Sequence, residues 1–193
     1  MTSRTRQFLA VLALVTLGAC GHGGHGGDAP NDVDRRFVAS MVPHHEIGVR
    51  MIADAEPRAD DVRLRRLVFK MSAYHESELH AMAHHLDEWN LTPADRFPGW
   101  VDPAALRELS ALTGPDYDVE WLRLMIEHHE GAIVLADEQT AAGAVAELRS
   151  LASGISATQG AEIATMKDLL AELCESAPAT SGCEDIAGLV GRG

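Results

Sequence analysis

The residues of this chain that could do unusual chemistry are histidine and methionine. Its 193 residues hold 10 His and 7 Met, while aromatic residues make up only 5%. The motif Met-x-x-His-His-Glu occurs twice, as Met41, His44, His45 and Glu46 and as Met125, His128, His129 and Glu130. On a helix, positions three and four apart share a face, so each Met lies on the same side as its two imidazoles. A thioether beside imidazoles suits copper, and Cu(I) in particular favours the soft sulfur. Met71, His75 and Met82 form a further set at helical spacing, with Glu78 between them. A lone Met or His on such a stripe is ordinarily core filler or a satisfied core residue. Two copies of one Met and His-pair pattern, facing a second Met and His helix, favour the metal-binding reading.

The elements that must position these residues are revealed by an internal repeat. A shift of 84 places lays residues 34–89 over 118–173 without a gap. Met41, His44, His45 and Glu46 then fall on Met125, His128, His129 and Glu130, and Leu64, Arg65 and Leu67 on Leu148, Arg149 and Leu151. Glu78 and Met82 fall on Glu162 and Met166, but Gln159 replaces His75 and Ile155 replaces Met71, so the first unit is the richer in ligands. Glu78 and Glu162 are expected either as buried hydrogen-bond partners of the His pairs or as outer groups that orient the rings. Glu46, Glu130 and Gln159 complete the polar set expected behind the ligands.

Each unit reads as two helices. Phe37, Met41, His44, His45, Gly48, Met51 and Ile52 follow the spacing of an apolar helical stripe. Met71, His75, Glu78, Met82, His85 and Trp89 alternate by four and three, as in a bundle seam. Pro57, the stretch from Asn90 to Pro93, and Gly143 are breakers where helices should end, and Asp60 is a candidate N-cap for the second helix. Pro43 falls inside the first helix, which is expected to continue through it, because Glu127 holds the matching place in the second unit, with a local kink that re-aims Met41 against His44 and His45. No useful stretch alternates with period two. The predicted fold is therefore all-α: a four-helix bundle of two duplicated hairpins, joined by a crossover with a short helix near Pro103 to Leu112.

Outside the repeats, Arg4 and Arg6 precede an apolar run from Phe8 to Leu17 that ends in Leu17-Gly18-Ala19-Cys20, the pattern of a secretory signal. A Cys after Leu-Gly-Ala also reads as a bacterial lipobox, with Cys20 lipidated as the first mature residue; an ordinary signal cut at Ala19 is the alternative. The expected division is a signal over 1–19, a Gly and His-rich tether over 20–31, the bundle over 32–175 and a C-terminal tail over 176–193. His22 and His25 in the tether read as part of a solvated spacer or as a weak metal-collecting arm. Cys174 and Cys183 are expected to pair as a disulfide in an oxidising compartment, with a thiolate metal pair as the alternative. A net charge of −13 argues against nucleic acid, which calls for clustered Lys and Arg, and fits attraction of cations.

Taken together, Met41-Val-Pro-His-His-Glu46, the run from Asp118 to Ile133 and Gln159-Gly-Ala-Glu-Ile-Ala-Thr-Met166 resemble the bacterial DUF305 family. The resemblance covers about residues 32 to 174. It implies a ferritin-like helical protein outside the cytoplasm, some of whose relatives bind copper or silver. Two departures are His75, where the pattern would give Gln, and Trp100 after Phe97-Pro98-Gly99, where members often have Met.

The function expected from this sequence is that of a lipid-anchored, extracytoplasmic chelator or carrier of copper, as Cu(I) or Cu(II), or of silver, rather than an enzyme. The expected ligands are Met41, His44, His45, Met71, His75, Met82, Met125, His128, His129 and Met166. Its expected partners are metal ions and, through the anchor, the membrane; a metallochaperone or transporter is left unassigned. A ferritin-like di-iron oxidase requires Glu-x-x-His on two helices, and the chain has no such motif. A helical interaction scaffold would leave the His repeats unexplained. His80 and His84, four apart, and the neighbouring His85 read as an exposed accessory site or as a solvated face.

Overall fold

The computed structural model describes residues 29–191, so the expected signal, most of the expected tether and Cys20 lie outside the described residues. Among the described residues the regular structure is helical: α1 (Asp32–Ala55), α2 (Val62–Glu88), α3 (Pro103–Ala111), α4 (Gly114–Ala142), α5 (Ala146–Ser176) and α6 (Ala187–Val190). The α1/α2 and α4/α5 hairpins pack through α1 against α4 and α2 against α5, forming the expected four-helix bundle, with α3 on the crossover. No helix among the described residues is long and apolar enough to cross a membrane.

Local sequence sets the helix ends. Asn31 caps α1 by accepting from the Val33 and Asp34 amides, while Asp34 accepts from the Asn31 amide to complete a capping box. Asp61, one residue beyond the expected Asp60, caps α2 by accepting from the Arg63 amide. Asp102 caps α3 ahead of Pro103, whose missing N–H is no loss at a first helical position. The breakers fall as expected, with α1 ending before Pro57, α2 before Asn90 and α4 at Gly143.

Helix α1 does run through Pro43. Proline has no N–H to give the carbonyl four residues back, here that of Ala39. The crossover supplies the replacement, because the Ala94 amide donates to Ala39 O at 2.8 Å. The helix defect thus becomes the anchor of the inter-repeat segment.

Two reciprocal clamps tie the repeats together. Asp34, fully buried at the start of α1, accepts from the Ala144 and Val145 amides in the α4/α5 turn and from Gln139 Nε2. Eighty-four residues on, Asp118 accepts from the Asp60 and Asp61 amides in the α1/α2 turn, at 3.0 and 2.7 Å. Each unit therefore holds the turn of the other. The same turns are held from their own side, since Arg65 donates to Ala59 O and Asp60 O, and Arg149 to Gly143 O and Ala144 O. Burial pushes both carboxyls up. At Asp34 the bonds from Gln139 and three amides outweigh it and leave the pKa below its ordinary value, whereas Asp118, with two amide donors, stays raised.

Residues 177–191 are held against the bundle. A disulfide joins Cys174 on α5 to Cys183, Arg123 donates to Gly182 O at 2.8 Å, and Leu189 of α6 is buried in the main core cluster.

Replacing Asp34 by Ala removes a buried acceptor and strands its donors, at roughly 1–3 kcal/mol for each unsatisfied group. Asp34→Ala is expected to lose about 3 kcal/mol and Asp118→Ala about 2 kcal/mol, read from urea unfolding midpoints. Equal stability of both variants with the parent chain would show that the turns hold without the clamps.

Candidate metal centre

The bundle core is divided by a polar layer. On one side, Met41 and Met82 pack with Phe37, Val38, Leu148 and Ile155; on the other, Met71, Met125 and Met166 pack with Leu64, Trp121, Leu122 and Leu170. All five methionines are fully buried. Between these clusters lie His44 and His45 from α1, His75 from α2, and His128 and His129 from α4, each 2% exposed or less. The heptad-like stripes put them there, and antiparallel packing of α1 on α4 brings the two His pairs to the same level.

The rings form one contiguous group. His44 and His128 stack with centroids 3.7 Å apart and planes at 16°. His75 lies 5.3 Å from both His45 and His129, so the extra imidazole of the first unit bridges the two pairs. Gly48 makes room for this, since a Cβ there would stand 3.1 Å from His75 Cδ2 and 3.2 Å from His128 Nε2.

Hydrogen bonds at the ring nitrogens fix each ring. His44 Nε2–H donates to His128 O at 3.0 Å, His75 Nδ1–H to Met71 O at 3.1 Å, and His128 Nδ1–H to Gly99 O at 2.6 Å. His129 Nε2 meets Glu162 Oε2 at 2.9 Å, matched by His45 Nε2 and Glu78 Oε2 at 3.0 Å in the other repeat. His45 Nδ1 also lies 3.2 Å from Met41 O, so both of its nitrogens are engaged. The opposite nitrogens of the other four, His44 Nδ1, His75 Nε2, His128 Nε2 and His129 Nδ1, are buried without a hydrogen-bond partner. Gln159, in the place of His75, is buried with neither amide atom partnered.

Burial and neighbouring rings keep His44, His75, His128 and His129 neutral. Desolvation pulls His75 down to about 3 and His128 to about 4, and takes His44 and His129 well below their ordinary value, with further lowering from the adjacent histidines. Desolvation and then Glu78 push Glu162 up to about 7. A neutral imidazole whose one N–H is tied to a carbonyl presents a lone pair at its other nitrogen, the form in which it binds a metal.

The crossover closes one side of the layer. Phe97 lies 5.5 Å from the His44 ring, and Gly99 rests directly on α4, where a Cβ on Gly131 would clash with Gly99 N. Gly99 itself has φ +73°, and a Cβ there would run into His128 O, so neither position admits a side chain. Trp100 lies outside the imidazole layer, lining a surface cavity of about 380 Å³ with Asp102, Glu127 and His128 and stacking under Arg96 at 3.3 Å.

The structure thus gathers all ten expected Met and His side chains into the core and sets Glu78 and Glu162 against the His pairs. Glu46 is exposed and Glu130 pairs with Lys167 at 3.3 Å, so the carboxylates hydrogen-bonded to the rings are the two from α2 and α5. One position past the second His of each motif turns by about 100° on a helix, away from the shared face. Among the described residues, the group of three His, Cys, Asp or Glu ligand atoms lying within 4.8 Å of one another is not in this layer but at His84, His85 and Glu88. The Gly99 carbonyl and the Asp34 and Asp118 clamps were not foreseen, although Asp34 on Asp118 opens the repeat overlay.

Fold and site define a duplicated helical bundle with an imidazole and thioether core. The chain belongs to the DUF305 family, whose model, a domain of unknown function, matches residues 34–170. It is similar to a DUF305 protein from Streptomyces coelicolor, described as secreted, at 30% identity and TM-score 0.68, covering 73% of this chain and 93% of that one. It is also similar to CopM in its Cu(I)-bound form, at 25% identity and TM-score 0.62 over 72% of this chain and 96% of that one. The Ag-bound form of CopM, obtained by soaking, matches at 27% identity and TM-score 0.61 over 72% and 95%. Among curated proteins, none matches.

These pKa shifts set a pH dependence for the metal-free chain. As pH falls below about 6.5, an unfolded His takes up a proton that the folded ring refuses, so stability is lost, by up to about 1.4 kcal/mol per pH unit for each such ring. Glu162 acts oppositely between about 4.5 and 7, where the folded chain holds the extra proton. Four depressed imidazoles outweigh the raised carboxyls of Asp118, Glu120 and Glu162, so stability is expected to fall from pH 6.5 to 4.5. His75→Gln, which copies the second repeat, is expected to flatten that slope. An unchanged slope in urea titrations would show that His75 does not resist protonation in the fold.

Proposed function

We propose that this chain is an extracytoplasmic binder of copper or silver ions, acting in chelation or carriage rather than catalysis. The observation that carries this reading is the set of four buried, unpartnered imidazole nitrogens between two clusters of buried methionines. An unsatisfied buried nitrogen costs roughly 1–3 kcal/mol, and a metal ion is the partner that this donor chemistry suits. Thioether with neutral imidazole favours Cu(I), and Ag(I) shares its softness. CopM, a relative of this chain, was solved with both metals bound. Glu78 and Glu162 act on this reading as outer groups that orient His45 and His129.

The Cys174–Cys183 disulfide and the likeness to a secreted relative support a place outside the cytoplasm. Lipid anchoring at Cys20 rests on the Leu-Gly-Ala-Cys pattern. Metabolic labelling with palmitate, lost in Cys20→Ser, is the expected outcome; an unlabelled parent chain expressed in bacteria would remove the anchor.

The decisive experiment is an anaerobic Cu(I) titration against a competing chelator, repeated with Ag(I) and Zn(II). Binding of Cu(I) and Ag(I) well below micromolar is expected. Because the bundle brings both His pairs into one layer, His44→Ala/His45→Ala and His128→Ala/His129→Ala are each expected to weaken Cu(I) binding by at least about tenfold, and Glu162→Gln, behind His129, to weaken it roughly 10–100-fold. Folded double variants with the parent's affinity and stoichiometry would make the His pairs structural and overturn the assignment.

A further inference from the structure

At the C-terminal end of α2, about 15 Å along the helix from His75 at 1.5 Å per residue, a second cluster stands apart from the core layer. His84, His85 and Glu88 each offer a ligand atom, and the three atoms lie within 4.8 Å of one another. His84 and Glu88 are exposed, whereas His85 is buried, stacked on Trp89 at 4.4 Å with its Nδ1 3.3 Å from Glu88 Oε2. The His84 and His85 ring centroids are 3.7 Å apart. His85 Nε2 is buried without a partner. The cluster falls in the last turn of α2, where the helix dipole favours a cation. A shallow hollow beside it is lined by His80, His84, Asp87 and Glu147, adding imidazole and carboxylate at its mouth. Asp168 and Leu169 stand where the second repeat would need its His pair, so the cluster belongs to the first unit alone.

We propose that His84, His85 and Glu88 form a separate, solvent-facing site for a divalent ion, Cu(II) foremost. Two imidazoles and a carboxylate are a nitrogen and oxygen donor set without the thioethers of the core. Such a set suits a borderline divalent metal, and among first-row divalent ions Cu(II) binds most tightly. Three protein ligands leave positions open to water, so the ion can exchange with solvent. This site is independent of the core: it can be present or absent whether or not the core imidazoles bind Cu(I).

The test uses the full-length chain in a His22→Ala/His25→Ala background, which removes the two histidines of the N-terminal segment. Cu(II) is titrated under air, with stoichiometry read by equilibrium dialysis, coordination by electron paramagnetic resonance, and proximity by quenching of tryptophan fluorescence. Trp89→Phe identifies the share of quenching that comes from the ring on His85. The expected result is that His84→Ala, at an exposed position, keeps the parent's circular dichroism, binds one fewer Cu(II) equivalent and loses the Trp89 quenching. Glu88→Gln is expected to weaken the same equivalent without loss of fold, and His44→Ala/His128→Ala to leave the Trp89 quenching intact. An unchanged Cu(II) stoichiometry in His84→Ala, or Trp89 quenching that survives it, would overturn the proposal while leaving the Cu(I) titration of the core to be judged on its own.

Discussion

Five imidazoles, two carboxylates and a glutamine cross the middle of this bundle in one layer, and four of the imidazole nitrogens there have no protein partner. A core that spent those positions on leucine would avoid the desolvation. The rest of the architecture can be understood from the need to hold these rings at fixed orientation in a dry interior. Four of the five are tied by one nitrogen to a backbone carbonyl or a glutamate, and the tie leaves the other nitrogen bare; His45 is held at both, by Met41 O and Glu78.

That arrangement demands that two hairpins meet in one register. A one-turn slip of α1 along α4 would shift the pairs by about 5.4 Å and separate His44 from His128. The reciprocal clamps fix the register from both ends, since Asp34 holds the α4/α5 turn and Asp118 holds the α1/α2 turn. Because the repeats are related by a pseudo-twofold, a single Asp and Arg pattern, copied with the unit, serves both ends. The crossover acts where the symmetry is broken: Ala94 takes up the carbonyl freed by Pro43, and Gly99 gives His128 its acceptor.

The asymmetry between repeats is chemical as well. His75 bridges the two His pairs, while Gln159 at the matching position leaves both amide atoms unpartnered. The His84, His85 and Glu88 group likewise has no second copy. The two units share the common layer, and α2 carries donor groups that α5 lacks, His75, His84 and His85 standing opposite Gln159, Asp168 and Leu169.

Periodicity and repetition in the sequence determined a great deal here. The helix spans, their breakers, the continuation through Pro43 and the membership of the Met and His stripe all follow from local rules, because a helix imposes its spacing on neighbours three and four residues apart. The N-cap of α2 lay one residue off, since Asp60 and Asp61 compete at the same helix end. Whether the two His pairs formed separate sites within hairpins or one layer between them depended on how α1 packs on α4, a contact between residues 84 apart that no local rule reports. The same holds for the Gly99 carbonyl and the Asp clamps. These are long-range contacts, decided by the packing of whole helices and by which polar groups that packing leaves without water.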